Sequence, residues 1–141
     1  MSLTAAADLF VHPGLIQTLG IVPVDLAPGR AEARFAVQAG HGQHHGFVHA
    51  GAAATLADHT AGAASTSLLQ PGQAVLTVEF KINLLKPLVG RELTAKAEVV
   101  RAGRQIHVVE VRLYVTDPAA TEPVAIALVT LCVVQDPGTS A

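Results

Sequence analysis

Between residues 76 and 84 the chain alternates: Leu76, Val78, Phe80, Ile82 and Leu84 are apolar, and Thr77, Glu79, Lys81 and Asn83 lie between them. A period of two predicts a strand with one face on a core and the other toward solvent or a site. Leu93, Ala95, Ala97 and Val99 alternate in the same way with Glu92, Thr94, Lys96 and Glu98. Val109, Val111, Leu113 and Val115 mark a further strand, and the run 124–134, apolar on both faces, predicts a central or interface strand. Pro87 to Gly90 and Ala102-Gly103 supply turns between them.

The first half of the chain reads differently. Residues 8–19 predict a short amphipathic helix interrupted near Pro13, with Gly20 as its stop. Strands at 22–26 and 30–37, joined by Ala27-Pro28-Gly29, predict a hairpin. A Gly/His-rich loop spans 38–48, and residues 49–69, mostly Ala, Leu and small polar side chains, are too long for a strand and favour a helix that Pro71-Gly72 ends. Helix, two strands, long helix, four strands gives an α+β class in which consecutive strands pair antiparallel and the long helix packs on one sheet. Small residues such as Gly51 and Gly62 would let a curved sheet grip that helix closely. With no repeat or linker in the pattern, one domain is expected over 1–141, comprising an N-terminal helical segment at 1–20, the strand-and-helix body, and a disordered tail at 136–141.

Composition adds an expectation about assembly. Half of the 141 residues are apolar and only 14% are charged, which is rich for a monomer and predicts apolar surface buried against another copy of the chain. The nine Lys and Arg are spread thinly with no aromatic platform beside them, so nucleic acid is not an expected partner. No apolar run approaches the roughly 20 residues a membrane helix needs. Residues 1–20 have no basic n-region, carry Asp8 and are broken by Pro13, unlike a signal peptide. The single cysteine, Cys132, reads as a small core residue in a reducing compartment, and a cytoplasmic location is expected.

The segment 43–58 carries the chemistry. It runs Gln43-His44-His45-Gly46-Phe47-Val48-His49-Ala50-Gly51 and then reaches Asp58 inside the apolar helix. A carboxylate there is costly unless paired or useful, and desolvation would raise its pKa toward that of a working base. A helix-surface Asp beside His59 fits the same residues. The free N–H groups near Ala50 and Gly51, at the helix start, carry partial positive charge suited to a developing oxyanion, although any helix after a glycine-rich loop begins this way. Asp58 lies eight residues past Ala50, about 12 Å along one helix at 1.5 Å per residue. One carbonyl does not easily touch both. If both act on one carbonyl, Asp58 comes from a neighbouring subunit and the site is shared across a two-fold axis.

His41, His44, His45 and His49 have loop spacing, with no helix-borne pair at i, i+4 and no nearby cysteine, so no metal site is assigned. No Gly-x-Ser-x-Gly elbow is present, and Ser65 and Ser67 fall within the helix.

Gln43, Gly46, His49-Ala50-Gly51 and Asp58 resemble the pattern of the PaaI-type (phenylacetic-acid pathway) branch of hotdog-fold thioesterases. That pattern has Asn or Gln, Gly three on, His-Gly-Gly three further, and an acidic residue nine after the His. The run from Leu76 to Pro87 is similar to the family's next strand, and Arg101-Ala102-Gly103-Arg104 to its following turn, so the likeness covers roughly 22–134. It implies a hotdog fold, with a curved antiparallel sheet of about six strands wrapped around one long central helix. It also implies hydrolysis of an acyl-CoA thioester, with CoA part of the substrate and no separate cofactor. Asp58 would be general base or nucleophile, Thr77 would help hold the attacking water, and the N–H at Ala50, beside Gly51, would polarise the carbonyl. Gln43 and His49 would shape the pocket. Gly46, Phe47, Leu56, Phe80 and Leu84 are expected to line it, and Lys86, Arg101 and Arg104, around the turn at Gly103, are the cations available for the CoA phosphates. Dimers pairing into a homotetramer are expected from the family. Gln43 in place of the common Asn lengthens the amide's reach, and Ala50 in place of the first Gly keeps the N–H but adds a methyl. A hotdog hydratase or dehydratase and a non-catalytic acyl-CoA-binding module are the alternatives; the position of Asp58 argues for hydrolysis.

Overall fold

A computed structural model describes residues 3–116 and 120–139. Leu3–Asp8 (α1) and Leu15–Leu19 (α2) are two separate helices rather than one interrupted one. Pro13 has no N–H to donate and Gly14 takes φ 146, so the helix restarts only at Leu15. Val22–Ala27 (β1) and Arg30–Ala36 (β2) form the expected hairpin, with Gly29 at φ 73 in its turn. Ala50–Thr66 (α3) is the long helix, followed by Gln73–Leu84 (β3), Glu92–Ala102 (β4), Ile106–Val115 (β5) and Ala125–Gln135 (β6).

The six strands make one antiparallel sheet in the order β1-β2-β4-β5-β6-β3. The expectation that consecutive strands pair therefore fails at one place: β3 does not pair with β4 but crosses to lie beside β6 at the sheet edge. The connecting segment 85–91 is no hairpin turn, because its backbone groups are taken elsewhere. Leu85 N–H donates to Val124 O, while Leu88 O and Arg91 O accept from Val48 N–H and Val37 N–H. The segment is thereby tied across the end of α3.

α3 lies on the concave face of the sheet. Ala53, Leu56, Ala57, Ala61 and Ala64 are buried in one cluster with Phe35, Leu93, Val109 and Val111. Alanines carry the close approach; a Cβ on Gly62 would meet nothing within 4 Å, so that glycine is not the packing point expected of it. Leu56 is fully buried in this core and does not line a pocket, and its burial contributes about 2–3 kcal/mol. Two polar clamps fix the far end of the helix. Ser67 Oγ accepts from Gly29 N–H at 2.8 Å, and Ser65 Oγ lies 2.6 Å from His107 Nδ1, both side chains buried. Burial pushes the His107 imidazole below its ordinary pKa.

One irregularity in β3 changes the reading of its faces. The pairing with β6 slips between Thr77 and Glu79, so that Val78 is an extra residue: Thr77 pairs with Leu131 and Glu79 with Thr130. Beyond the bulge Phe80, Ile82 and Leu84 sit opposite the buried Val129, Ala127 and Ala125 on the concave face. Before it, Thr77 and Val75 share that face and Leu76 turns outward, so the simple alternation from Leu76 to Leu84 is broken. Cys132, opposite Leu76 and Ile106, is half-buried rather than a core residue. Past β6 the chain forms a 3-10 turn at Pro137–Thr139, with Gly138 N–H donating to the Asp136 carboxylate; the final two residues of the tail lie outside the described ones.

Candidate active site

The start of α3 is set by His49. Its backbone, at φ −64 and ψ 137, is extended, and its Nδ1 accepts from Gly51 N–H at 2.8 Å, making it the N-cap. Gly51 suits this contact, since a Cβ there would lie a tight 3.0 Å from that nitrogen. The Gly51 N–H is therefore committed to the cap. Ala50 N–H, one residue earlier on an exposed helix end, has no partner among the described residues. It is the backbone donor left open to an acceptor at this helix end.

The preceding loop is built to present its side chains. His49 N–H donates to His41 O at 2.7 Å, and the buried His41 ring packs on Phe35 while its Nδ1 accepts from Gln38 N–H. Gly46, at φ 83, closes a tight turn held by Gly46 N–H to Gln43 O and Gln43 N–H to Phe47 O. Gln43 Oε1 accepts from His45 N–H, which leaves the amide NH2 as the group the side chain can offer. The His44 and His45 rings lie against each other at 4.0 Å, tilted by 45°, and among the described residues no cluster of His, Cys, Asp or Glu could hold a metal ion.

Above this helix start lies a cavity of about 630 Å³. Gln43, His49 and Ala50 form its polar floor; Phe47 and Leu84 wall it, together with Leu85 and Leu88, which the sequence patterns did not single out. Those two come from the crossing segment after β3, whose path is set by tertiary hydrogen bonds. Lys86 is at the rim, paired with Glu122 at 3.1 Å. Phe80 lies farther back on the concave side of β3 and does not line this cavity.

Asp58 occupies a different place. Thr77 Oγ1 donates to its Oδ1 at 2.7 Å, and both residues line a second cavity, of about 410 Å³, with His59, Gln73, Asp8 and His12. The N-terminal segment borders this cavity: His59 meets the Phe10 ring edge-on at 4.7 Å and bonds the Leu9 backbone, and burial holds its pKa below the ordinary value. Asp8, His12 and His59 carried no motif that pointed to this position. Ala50 and Asp58 share α3, eight residues apart, so the roughly 12 Å between them stands.

The cations divide in the same way. Arg101 and Arg104 flank the β4–β5 turn, and Arg101 is nine residues from Glu92, roughly 30 Å along the strand from the end of the sheet where Lys86 lies. One chain thus brings Lys86 to the first cavity and Arg101 and Arg104 to the opposite end. Gly103 serves the turn itself: its N–H donates to Ile106 O at 2.9 Å, and a Cβ would sit 2.8 Å from that oxygen.

The family model of the thioesterase superfamily matches residues 45–121. A Halobacterium salinarum protein assigned as an esterase is 35% identical over 121 residues, covering 82% of this chain and 80% of its own. The 1,4-dihydroxy-2-naphthoyl-CoA hydrolase of Listeria monocytogenes is 29% identical over 100 residues, covering 71% of this chain and 81% of its own. Among solved structures, a thioesterase family protein from Silicibacter pomeroyi superposes with a TM-score of 0.88 at 35% identity, over 93% of this chain and 96% of that one.

Proposed function

Since the chain belongs to the thioesterase superfamily and is a hotdog-fold thioester hydrolase, we propose that it hydrolyses acyl-CoA thioesters at a site completed by a second copy of itself. The observation that carries this reading is the unpartnered Ala50 N–H at the foot of an apolar cavity, about 12 Å along α3 from the only carboxylate on that helix. The thioester carbonyl sits against Ala50 N–H, with the Gln43 amide and His49 ring beside it and the acyl group against Phe47, Leu84 and Leu88. Asp58 of the second copy, steadied by Thr77, takes a proton from water as the water oxygen bonds to the carbonyl carbon. The tetrahedral oxyanion is held by Ala50 N–H, and its collapse breaks the C–S bond. The CoA thiolate leaves and takes up the proton, and the carboxylic acid is the other product. Direct attack by Asp58, through an anhydride that water then opens, uses the same residues.

The motif Gln43, Gly46, His49, Asp58 supports placement in the PaaI-type branch, and the apolar wall of Phe47, Leu84 and Leu88 is compatible with short, medium or aryl acyl groups. Lys86 at the cavity rim, with Arg101 and Arg104 brought from the second copy, would meet the CoA phosphates; no cofactor enters the reaction. Further pairing of dimers gives the tetramer expected of the branch.

Free-thiol release from a panel of acyl-CoAs by the native chain and by Asp58→Asn tests the reading. Release that falls about 10²-fold or more in the variant is expected. Binding without release from any acyl-CoA would instead leave an acyl-CoA-binding module. Sharing of the site is tested by mixing Asp58→Ala with Ala50→Pro subunits. Activity should recover in the mixture, and heterodimers that form without recovery would refute it.

A further inference from the structure

The polar pair buried at the far end of α3 takes no part in the chemistry described above. Ser65 is fully buried and His107 is 4% exposed, with Ser65 Oγ 2.6 Å from His107 Nδ1. The imidazole also bonds the Gly103 backbone. Gly103 N–H is committed to Ile106 O, so the ring meets the Gly103 carbonyl and must donate to it. Burial favours the neutral ring, which has one N–H to give, and Nδ1 then accepts from the Ser65 hydroxyl. A chain of hydrogen bonds thus runs from α3 through His107 to the β4–β5 turn.

That turn carries Arg101 and Arg104, both exposed and neither in an ion pair among the described residues. The β4–β5 pairing slips between Val99 and Arg101, so that Arg101 stands opposite Val108 and Ala102 opposite His107. His107 is therefore one rung from Arg101, and its bond reaches the residue next to Arg104. A Cβ on Gly103 would lie 3.8 Å from Arg101 Nε, so the Arg101 side chain folds back over the turn. An apolar pair could fill the space of Ser65 and His107 without desolvating two polar groups. A hydrogen bond does what packing cannot, because it fixes the direction of the turn's carbonyl.

α3 relates this link to the reacting end of the molecule. Ser65 is seven residues past Asp58, two turns on, about 10 Å along the axis and only about 20° round it. We propose that His107, held by Ser65, is a positioning residue that fixes the turn of Arg101 and Arg104 at a set distance from Asp58 of the same chain, so that the CoA phosphates and the thioester are held in register. The inference rests on the reading above that these arginines meet the phosphates, and adds what holds them in place. His107 is too buried to touch substrate and acts through the turn.

Two thioesters of the same acyl group read this role: acyl-CoA, and acyl-pantetheine, which has no phosphate. His107→Leu should raise KM for acyl-CoA about tenfold with kcat unchanged, and leave KM for acyl-pantetheine within about twofold of native. Ser65→Ala leaves the helix intact and removes the hydroxyl that orients the ring. It should shift KM for acyl-CoA in the same direction by a smaller factor, and it covers the case in which His107→Leu fails to fold. H107L/S65A should be no worse than His107→Leu, since both act on one link. His107→Gln, whose amide can donate to the carbonyl and accept from the hydroxyl, should keep KM near native. Gly103→Ala retains the carbonyl and is the control for a turn that is strained but still tethered. Equal rises on both thioesters, or no rise on either, in a folded His107→Leu or Ser65→Ala would overturn the proposal. R101A/R104A tests the premise separately. A rise in KM confined to acyl-CoA upholds the arginines as phosphate ligands, and no rise refutes premise and inference together. A rise in R101A/R104A with none in His107→Leu or Ser65→Ala refutes the inference alone.

Discussion

Thr77 Oγ1 donates a hydrogen bond of 2.7 Å to Asp58 Oδ1, joining the edge strand to the central helix across 19 residues. The contact orients the carboxylate and leaves its second oxygen open to a water or a carbonyl carbon. Hydrogen bonds to charged groups are worth about 1.5–3 kcal/mol, so Thr77→Val should lower kcat by roughly 10- to 100-fold, while Thr77→Ser retains most of it. Loss in Thr77→Ser with native turnover in Thr77→Val would show that the methyl group, not the hydroxyl, matters.

Ala50→Pro removes one N–H and little else. Proline suits the first helical position, and His49, at ψ 137, already has the extended backbone that a residue before proline requires. The variant should keep its melting temperature and lose about 10²–10³ in kcat, the usual effect of deleting one oxyanion donor. A stable Ala50→Pro with native turnover would exclude Ala50 N–H from the reaction.

Gly103 offers a contrast, because its role is in the turn. An added Cβ would lie 2.8 Å from Ile106 O, a backbone atom that cannot swing away. Gly103→Ala should destabilise the fold by about 1–3 kcal/mol in denaturant titration. KM for acyl-CoA should change little; a large rise in KM with unchanged stability would instead favour a direct binding role.

Stability should fall in mild acid. Burial depresses the pKa of His59 and His107 below the ordinary 6.5. Folded chains then bind fewer protons than unfolded ones just below pH 6.5, so stability is fully present above that pH and declines as pH drops toward the folded values. The slope is at most about 1.4 kcal/mol per pH unit for each proton. Melting curves between pH 7.5 and 5 should show the decline, and His107→Gln should flatten part of it. Identical slopes in native chain and variant would assign the effect elsewhere.

Much of the fold was legible in the chain because the signals are local. The Gly29 turn, the alanine-rich helix and the alternating residues of β4 each depend on neighbours within a few positions. The spacing from Ala50 to Asp58 was equally readable, since helical rise converts eight residues into about 12 Å without reference to anything else. That one distance already set the Ala50 N–H apart from the Asp58 carboxylate.

Other features depended on pairings distant in sequence. The alternation from Leu76 to Leu84 assigned Thr77 to the face opposite Phe80, and only the pairing with β6, slipped at Val78, puts the two on the same side. Leu56 looked available to a pocket, yet the sheet closes over it. Arg101 and Arg104 seemed to belong with Lys86, and strand direction carries them to the far end. Helix type, helix length and the residues along one helix were determined by the sequence itself, because their energetics are settled within a turn or two. Strand neighbours, edges, the phase of a bulged strand and the company of Asp58 were decided by the tertiary structure, because hydrogen-bond ladders select partners by burial and register over the whole chain.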